Sequence, residues 1–325
     1  MGYMDIARNM VENSLMGEPV DRLRSVSEEI SRVYRNEGKE GKRLVTGNLQ
    51  ALVYAAVRMP ATFGAVSAAL VYALERSTVR GDSLIDVGAG TGAATLAAAE
   101  LLEPDRITCI EREDAMYDLG RRILAECGNG CGNQPLVDAC WVKSDINSYD
   151  FSKKASVVIS SYMLNEADET SRAVIIEKMW NASEELLLIV EPGTPDGYKV
   201  IKQAREILLE KGAHIAAPCT HENQCPAEND DWCHFSTRVQ RSRIHKLIKN
   251  ADVPYEDEKF SYIAFTAEKC DTAGCRIMRH PDIRKGNIGL RVCSDKGMQD
   301  IRITKKNGPL FKEARKSENG DILHM

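Results

Sequence analysis

Two groups of residues in this chain of 325 have the types and spacing to do chemistry. The first is Asp86-Val87-Gly88-Ala89-Gly90-Thr91-Gly92, where strand character over Ser83 to Val87 gives way to a helix predicted over Ala93 to Leu102. Glycines at such a junction let the backbone turn sharply and approach a ligand, and the helix start offers unpaired amides. With Ala93 in the third position the run also satisfies the G-x-G-x-x-G/A spacing, so the glycines alone are compatible with a nicotinamide or flavin dinucleotide. The second group is a set of thiols, Cys219, Cys225 and Cys233, spaced C-x5-C-x7-C in a polar stretch rich in turn residues.

Acidic residues narrow the first site. Asp86 stands two residues before the first glycine, close to where a pyrophosphate would need to bind, and like charges repel; S-adenosylmethionine instead brings an ammonium and a sulfonium, which a carboxylate attracts. Glu111, about 20 residues on, ends a second strand, where an acid can accept ribose hydroxyls. Asp145, in Lys143-Ser144-Asp145-Ile146, ends a third, where it can take an adenine amino group. The expected contacts are therefore Asp86, Gly88, Gly90, Gly92, Glu111 and Asp145, with the three acids converging on one crevice. This ordered set resembles class I S-adenosylmethionine methyltransferases; the alternative is a degenerate pocket that binds nothing. The fourth strand ends in Ser160-Ser161-Tyr162-Met163-Leu164-Asn165-Glu166, without the Asn/Asp-Pro-Pro-Tyr segment of many amino-directed methyltransferases. No catalytic residue is assigned, and Tyr162 and Asn165 suit packing or capping as well as catalysis.

Three cysteines in one polar loop are poor core material, since core thiols occur singly on apolar faces. A metal would explain them: zinc completed by His221 or His234, or an iron-sulfur cluster completed by a distant fourth cysteine. Pro218-Cys219 also matches the nucleophile dipeptide of cytosine-C5 methyltransferases, although metal ligation is the preferred use of Cys219. Cys109, Cys127, Cys131 and Cys140 read as ordinary thiols.

The elements that must position these residues follow from periodicity. Residues 1–77 read as helices, with Leu23, Val26, Ile30 and Val33 on one stripe and Pro60 separating two later helices. From Ser83 the pattern changes to apolar strands alternating with helices, the mark of a parallel sheet. Strands are predicted at Ser83 to Val87, Arg106 to Glu111, Ala139 to Lys143, Ser156 to Ser160 and Leu186 to Glu191, and a helix at Gly197 to Leu209. After the cysteine stretch, Ala213 to Trp232, comes a basic helix over Phe235 to Lys249. From Phe260 onward the alternation of Tyr262, Ala264 and Thr266, then Ile288, Leu290 and Val292, then Ile301 and Ile303, predicts a small antiparallel unit.

Composition excludes little else. Hydrophobic residues are 43% and charged residues 28% of the chain, as in ordinary globular proteins. The apolar stretches are too short to cross a bilayer, so no membrane partner is expected. The N-terminus has neither a secretory layout nor, with Asp5, Glu12, Glu18 and Asp21, an acid-poor transit sequence, which predicts a cytoplasmic protein. Ten cysteines in such a protein suit metal ligands or buried thiols rather than a disulfide framework. The formal net charge of -5 hides twelve basic against four acidic residues over Arg276 to Lys316. A cationic C-terminal third suits a polyanion such as RNA. A monomer is the expected state.

The Pro-Cys-x-His-x-x-x-Cys-Pro run from Pro218 to Pro226, Asp231-Trp232-Cys233-His234-Phe235-Ser236 with Arg238 and Arg241 after it, and Val190-Glu191-Pro192-Gly193-Thr194-Pro195 resemble the methyltransferase-like family of small-ribosomal-subunit assembly proteins, the mitochondrial-type, Rsm-like group. Phe260-Ser261-Tyr262, Cys293-Ser294-Asp295-Lys296-Gly297 and Ala314-Arg315-Lys316 extend the similarity, which is weak before residue 40. The resemblance implies association with the small ribosomal subunit and its rRNA, and a 4Fe-4S cluster on Cys219, Cys225, Cys233 and Cys293, with Cys270 and Cys275 open as alternatives for the fourth ligand. The expected architecture is α/β: an N-terminal helical cap (1–77), a Rossmann-like class I methyltransferase sheet (78–212), a Cys-rich metal-binding segment with basic helix (213–250), and a small basic β-rich unit (251–325). Either an RNA methyltransferase or a non-catalytic assembly factor fits these features.

Overall fold

A computed structural model describes residues 2–36, 45–227, 231–270 and 274–325; part of the predicted cysteine stretch, 228–230, lies outside the described residues. In chain order the helices are α1 (Tyr3–Leu15), α2 (Val20–Asn36), α3 (Asn48–Val57), α4 (Met59–Leu74), α5 (Ala93–Leu102), α6 (Asp114–Cys131), α7 (Gln134–Val137), α8 (Glu169–Ala182), α9 (Pro195–Glu210), α10 (Arg243–Lys249) and α11 (Pro309–Ala314). The strands are β1 (Ser83–Val87), β2 (Arg106–Glu111), β3 (Cys140–Lys143), β4 (Ala155–Ser161), β5 (Ser183–Pro192), β6 (His214–Ala217), β7 (Phe235–Gln240), β8 (Tyr255–Thr266), β9 (Cys275–Ile277), β10 (Asp282–Arg284), β11 (Asn287–Ser294), β12 (Gly297–Thr304) and β13 (Ile322–Leu323).

The large sheet runs β3-β2-β1-β4-β5-β8-β6, parallel through β5, with β8 antiparallel to β5. Continuous apolar strands make this possible, because helices cover both faces. Along β5 the period of two divides the side chains: Leu186, Leu188 and Val190 face one core, shared with α1 to α6, whereas Leu187 and Ile189 face the other, with Ile176 of α8 and Ala204 and Leu208 of α9. Pro60 lies in the first turn of α4, where its missing N–H costs nothing, so it divides α3 from α4. No single helix among the described residues is long and apolar enough to cross a membrane.

Two expectations are corrected here. The basic helix over Phe235 to Lys249 is a strand, β7, followed by a shorter helix, α10, whose N-cap Ser242 accepts the His245 amide. Antiparallel pairing of Phe235–Gln240 with Phe260–Tyr255 overrides the local helical spacing, and Asp257 of β8 pairs with Arg238, the one basic residue of β7. The small antiparallel unit does not begin near residue 251. β8 belongs to the large sheet, and its run from Phe260 to Thr266 is buried on both faces rather than alternating. A second sheet, β10-β11-β9-β13 with β12 on the other edge of β11, starts at Cys275 and closes over Ile277, Ile288, Leu290, Val292 and Ile303.

The turn after β5 is packed against β8. The Gly193 amide donates to the Lys259 carbonyl at 2.9 Å. A Cβ at Gly193 would stand 2.7 Å from both the Lys259 carbonyl carbon and the Phe260 nitrogen, backbone atoms of a strand paired on both edges. Gly193→Ala is expected to cost roughly 1–3 kcal/mol of stability through this overlap; a denaturant midpoint equal to wild type would refute the tight packing.

Candidate cofactor crevice and cysteine-lined cavity

The crevice opens at the C-terminal ends of β1, β2, β3 and β4, and encloses about 480 Å³, within the size of small-molecule sites. Gly88, Gly90, Glu111, Arg112, Glu113, Ser144, Ile146, Asn147, Tyr162, Met163 and Glu166 line it. Gly88, Gly90 and Gly92 all take left-handed backbone angles, with φ of 72°, 54° and 81°. Another residue type would be strained there.

Of the three predicted acids, only Glu111 reaches the crevice. Its Oε2 accepts the Gly90 amide at 2.8 Å, and its Oε1 accepts the amides of Arg112 at 2.8 Å and Glu113 at 2.7 Å. Three of about four acceptor sites on the carboxylate are thus occupied, leaving capacity for one further donor. Asp86 lies beneath the loop, 0% exposed, where its Oδ2 accepts the Thr95 amide at 3.0 Å and the Thr95 hydroxyl at 2.6 Å. It fastens the first turn of α5 instead of meeting a ligand. Burial pushes its carboxyl up to about 6, against the Thr95 hydrogen bonds. Asp145 turns back on its own loop, accepting from the Asn147 amide and side chain at 2.9 and 3.0 Å, while its neighbours line the crevice. The expectation that three acids converge on one crevice is corrected accordingly: strand ends place the backbones together, but local hydrogen bonds turn two of the side chains away.

Sequence reasoning missed residues whose signal is not local. Arg112 spans the crevice, 3.4 Å from Glu113, 3.7 Å from Asp145 and 3.5 Å from Glu166. Glu166 is held largely out of water, and burial lifts its carboxyl to about 7 despite Arg112. Tyr162 has φ 57°, a conformation costing a non-glycine residue roughly 1–3 kcal/mol. Its amide donates to the Val190 carbonyl at 2.8 Å and its hydroxyl to Glu258 Oε1 at 2.9 Å. Arg58, at the α3–α4 junction, holds both Glu258 oxygens, at 2.9 and 3.2 Å. A positive φ cannot be read from residue types, and Arg58, Tyr162 and Glu258 meet only after folding.

A second cavity is bordered by Cys219, Cys225, Cys233 and Cys293, together with Tyr198, Arg205, His221, Tyr262, Arg276 and Met298. Cys270 and Cys275 do not border it; Cys275 is buried on β9 against Leu323. The loop around the cavity is tied from several sides. Arg205 Nη2 donates to the His221 carbonyl at 3.3 Å, Arg276 Nε to the Pro218 carbonyl at 2.7 Å, and the Thr220 hydroxyl to the Cys293 carbonyl at 3.2 Å. The Ser261 hydroxyl donates to the Cys233 carbonyl at 2.8 Å. Among the described residues no three Cys, His, Asp or Glu side chains are close enough together to hold a single metal ion. Cys219, Cys225, Cys233 and Cys293 border one small cavity, and Arg276 Nη2 and Tyr262 Oη are buried without a partner among the described residues. Burial pushes the thiols of Cys219, Cys233 and Cys293 up.

Much of the basic strip is internally neutralised. Arg238 pairs with Asp257 at 2.8 Å, Arg241 with Glu256 at 3.3 Å, Arg284 with Asp282 at 2.8 Å and Arg291 with Asp231 at 2.9 Å, while Arg276 is 1% exposed. Lys305, Lys306, Lys312, Arg315 and Lys316 remain exposed on the turn before α11 and on α11 and its end.

The parallel sheet with an antiparallel β8, and a glycine loop between β1 and α5, define a Rossmann-like methyltransferase fold. The sequence model of the family described as mitochondrial small ribosomal subunit Rsm22 matches residues 48–324, and the chain belongs to that family. The human mitochondrial ribosome assembly protein METTL17 is 27% identical over 292 residues, covering 84% of this chain and 62% of its own length. A mitochondrial Rsm22-cox11 tandem protein of Schizosaccharomyces pombe is 23% identical over 298 residues, covering 74% of this chain and 38% of its own. The chain therefore spans less than two thirds of these relatives. Among solved structures, magnesium protoporphyrin IX methyltransferase from Synechocystis with bound S-adenosylmethionine superposes with a TM-score of 0.43 at 15% identity, covering 81% of this chain and 97% of that one. A TehB-like methyltransferase from Corynebacterium glutamicum gives 0.39 at 13% identity, covering 62% and 88%. The expected cytoplasmic location is overturned by the family and relatives, which are described as mitochondrial. The acidic residues near the N-terminus, on which that expectation rested, describe those residues and not a compartment.

Glu191, at the end of β5, is 0% exposed; its Oε1 accepts the Leu164 amide at 2.9 Å and its Oε2 has no partner among the described residues. Burial lifts its carboxyl to about 8 from an ordinary 4.5. With the folded value above the unfolded one, this group's contribution is fully present below pH 4.5 and lost as pH rises through 8. Glu191→Gln keeps the acceptor without the proton equilibrium, so the variant's stability relative to wild type should grow from pH 4.5 to 8 and then level off. Parallel thermal melts across that range would expose a constant difference, which is incompatible with a buried protonated Glu191.

Proposed function

We propose that this chain is an S-adenosylmethionine-binding, methyltransferase-like protein that works with the small ribosomal subunit during its assembly. The observation that carries the reading is the crevice of about 480 Å³ between the left-handed glycine loop and Glu111, in a chain of the Rsm22 family. Gly88 and Gly90 would leave space for the ligand's backbone-hugging part, Gly92 would act by turning the loop into α5 against Leu124, and the free acceptor of Glu111 would take one ribose hydroxyl. Asp86 would act through the loop it anchors, and Asp145 would face the adenine end through Ser144 and Asn147. The bound cofactor supplies an activated methyl group; the chain supplies alignment and exclusion of water.

Cys219, Cys225, Cys233 and Cys293 are proposed to hold a 4Fe-4S cluster. Each thiolate then binds its own iron, which suits four thiols spread around a cavity better than gathered at one zinc ion. The exposed cations of α11 and the preceding turn are proposed as the contact with rRNA phosphates.

A second reading is a non-catalytic assembly factor. It is favoured by the lining of the crevice, where Tyr162 is committed to Glu258 and Glu166 to Arg112, so among the described residues neither is a free base.

Calorimetry with S-adenosylmethionine and S-adenosylhomocysteine is expected to give saturable heat; none with either would remove the cofactor reading. Isotopically labelled methyl donor incubated with precursor small subunits separates the enzyme, which labels rRNA, from the assembly factor, which does not. Anaerobically purified protein is expected to be brown, with iron and acid-labile sulfide in a ratio near one, and Cys225→Ser to lose the colour. Stoichiometric zinc without iron would refute the cluster.

A further inference from the structure

Tyr162 is over-determined by its surroundings in a way that packing alone does not require. Its backbone is held in the left-handed region by the bond from its amide to Val190, and its hydroxyl by Glu258, which Arg58 grips with two nitrogens. The Arg58 guanidinium also lies 5.8 Å from the ring centroid. Backbone strain maintained by an ion pair is a sign that a side chain's direction matters.

The place of this ring in the crevice gives it a role. Glu111, Ser144 and Asn147 border the crevice at the β2 and β3 ends, and under the proposed cofactor reading, on which this inference rests, the ribose and adenine lie there. Toward the ends of β1 and β4 the crevice is bordered by Gly88, Ser161, Tyr162 and Met163, and its outer wall by Tyr54, Glu166 and Asp168. Met163 packs on the first glycine, its Cγ 2.7 Å from where a Gly88 Cβ would be. The sulfur-bearing part of the ligand therefore falls beside Tyr162. In the methyl donor that sulfur is a sulfonium cation, and in the demethylated product a neutral thioether. An aromatic face attracts the first and is nearly indifferent to the second. Arg58 does not cancel the effect, because its charge is matched by Glu258.

We infer that Tyr162 is a specificity-determining residue: its pinned ring is an aromatic wall that favours the charged methyl donor over the neutral product. Binding of S-adenosylmethionine and S-adenosylhomocysteine to the full chain is measured by calorimetry for wild type, Tyr162→Phe, Tyr162→Leu and Tyr162→Asn, the last because asparagine tolerates a positive φ. Tyr162→Phe should keep the wild-type ratio of the two affinities within about twofold. Tyr162→Leu and Tyr162→Asn should lose about threefold to thirtyfold in donor affinity with product affinity little changed, the span of a cation–π contact. Equal weakening of both ligands, or an unmoved ratio in either variant that folds, overturns the inference while leaving the cofactor reading intact. A wild-type protein that binds neither ligand overturns both.

Discussion

The double pairing of β8 is the constraint on which both sites depend. One edge of this strand bonds to β5 from Phe260 to Phe265; the other takes β7 along its first half and β6 near its end. Residues far apart in the chain are thereby set in register. Glu258 arrives opposite Thr237 and reaches Tyr162 at the crevice, whereas Ser261, three residues on, holds the Cys233 carbonyl beside the thiol cavity. A strand bonded on both edges and buried on both faces from Phe260 has little freedom to shift, since a slip of one residue would exchange its faces. The crevice and the cavity are consequently built from one rigid piece.

Charge in this protein is organised by burial more than by sum. The crevice is rimmed by Glu111, Glu113 and Glu166 around Arg112, and Asp86 and Glu191 lie wholly buried behind it. Desolvation lifts the carboxyls of Asp86, Glu111, Glu166 and Glu191 alike. Such groups cost stability as they ionise, and a cation entering the crevice lowers that cost by pairing with them. Arg238, Arg241, Arg284 and Arg291 are spent in ion pairs of modest worth, while Lys305, Lys306, Lys312, Arg315 and Lys316 leave exposed positive charge around α11.

How much of this was legible in the sequence depended on whether a feature was local. β1 and β2 were readable to their ends because short apolar-rich runs are bounded by turn and glycine signals, and the glycine loop because its residue types answer directly to backbone angles. The cysteine set was legible as a set, since thiols in a polar loop are anomalous, and the cavity does gather the four that the family resemblance named. What failed was decided by which partner a group finds once folded. The spacing of Phe235 and Val239 suits a helix, yet β8 claims that backbone for a strand. Asp86 and Asp145 stand at the right strand ends, but Thr95 takes one oxygen of the first and Asn147 one oxygen of the second. Arg276 counted as surface charge in the sequence and is instead the largest side chain buried to under 2%.

That arginine shows why the second sheet and the cysteine loop must order together. The sheet's own buried core is eight residues, too few to stabilise a free unit of this size. Its attachment combines apolar packing of Met278 and Met298 on the large core with polar anchors: Arg276 to the Pro218 carbonyl, the Cys293 carbonyl to Thr220, and Arg279 and Arg291 to Asp231. Each of these polar anchors lands within the cysteine loop, while the Tyr72 hydroxyl bonds the Asn319 carbonyl and the Tyr72 ring lies under Arg276, which ties the sheet to the helical layer. The loop has few apolar contacts of its own and borrows its shape from the arginines that enter it. Loop and sheet therefore each supply what the other lacks, the sheet a rigid edge and the loop a set of carbonyl acceptors. A centre bound by Cys293 from β11 and by three thiols of the loop would join the two where polar contacts already hold them, so its binding energy would strengthen docking more than either fold. The same docking sets where the second sheet, and with it the exposed cations on and around α11, stands relative to the loop.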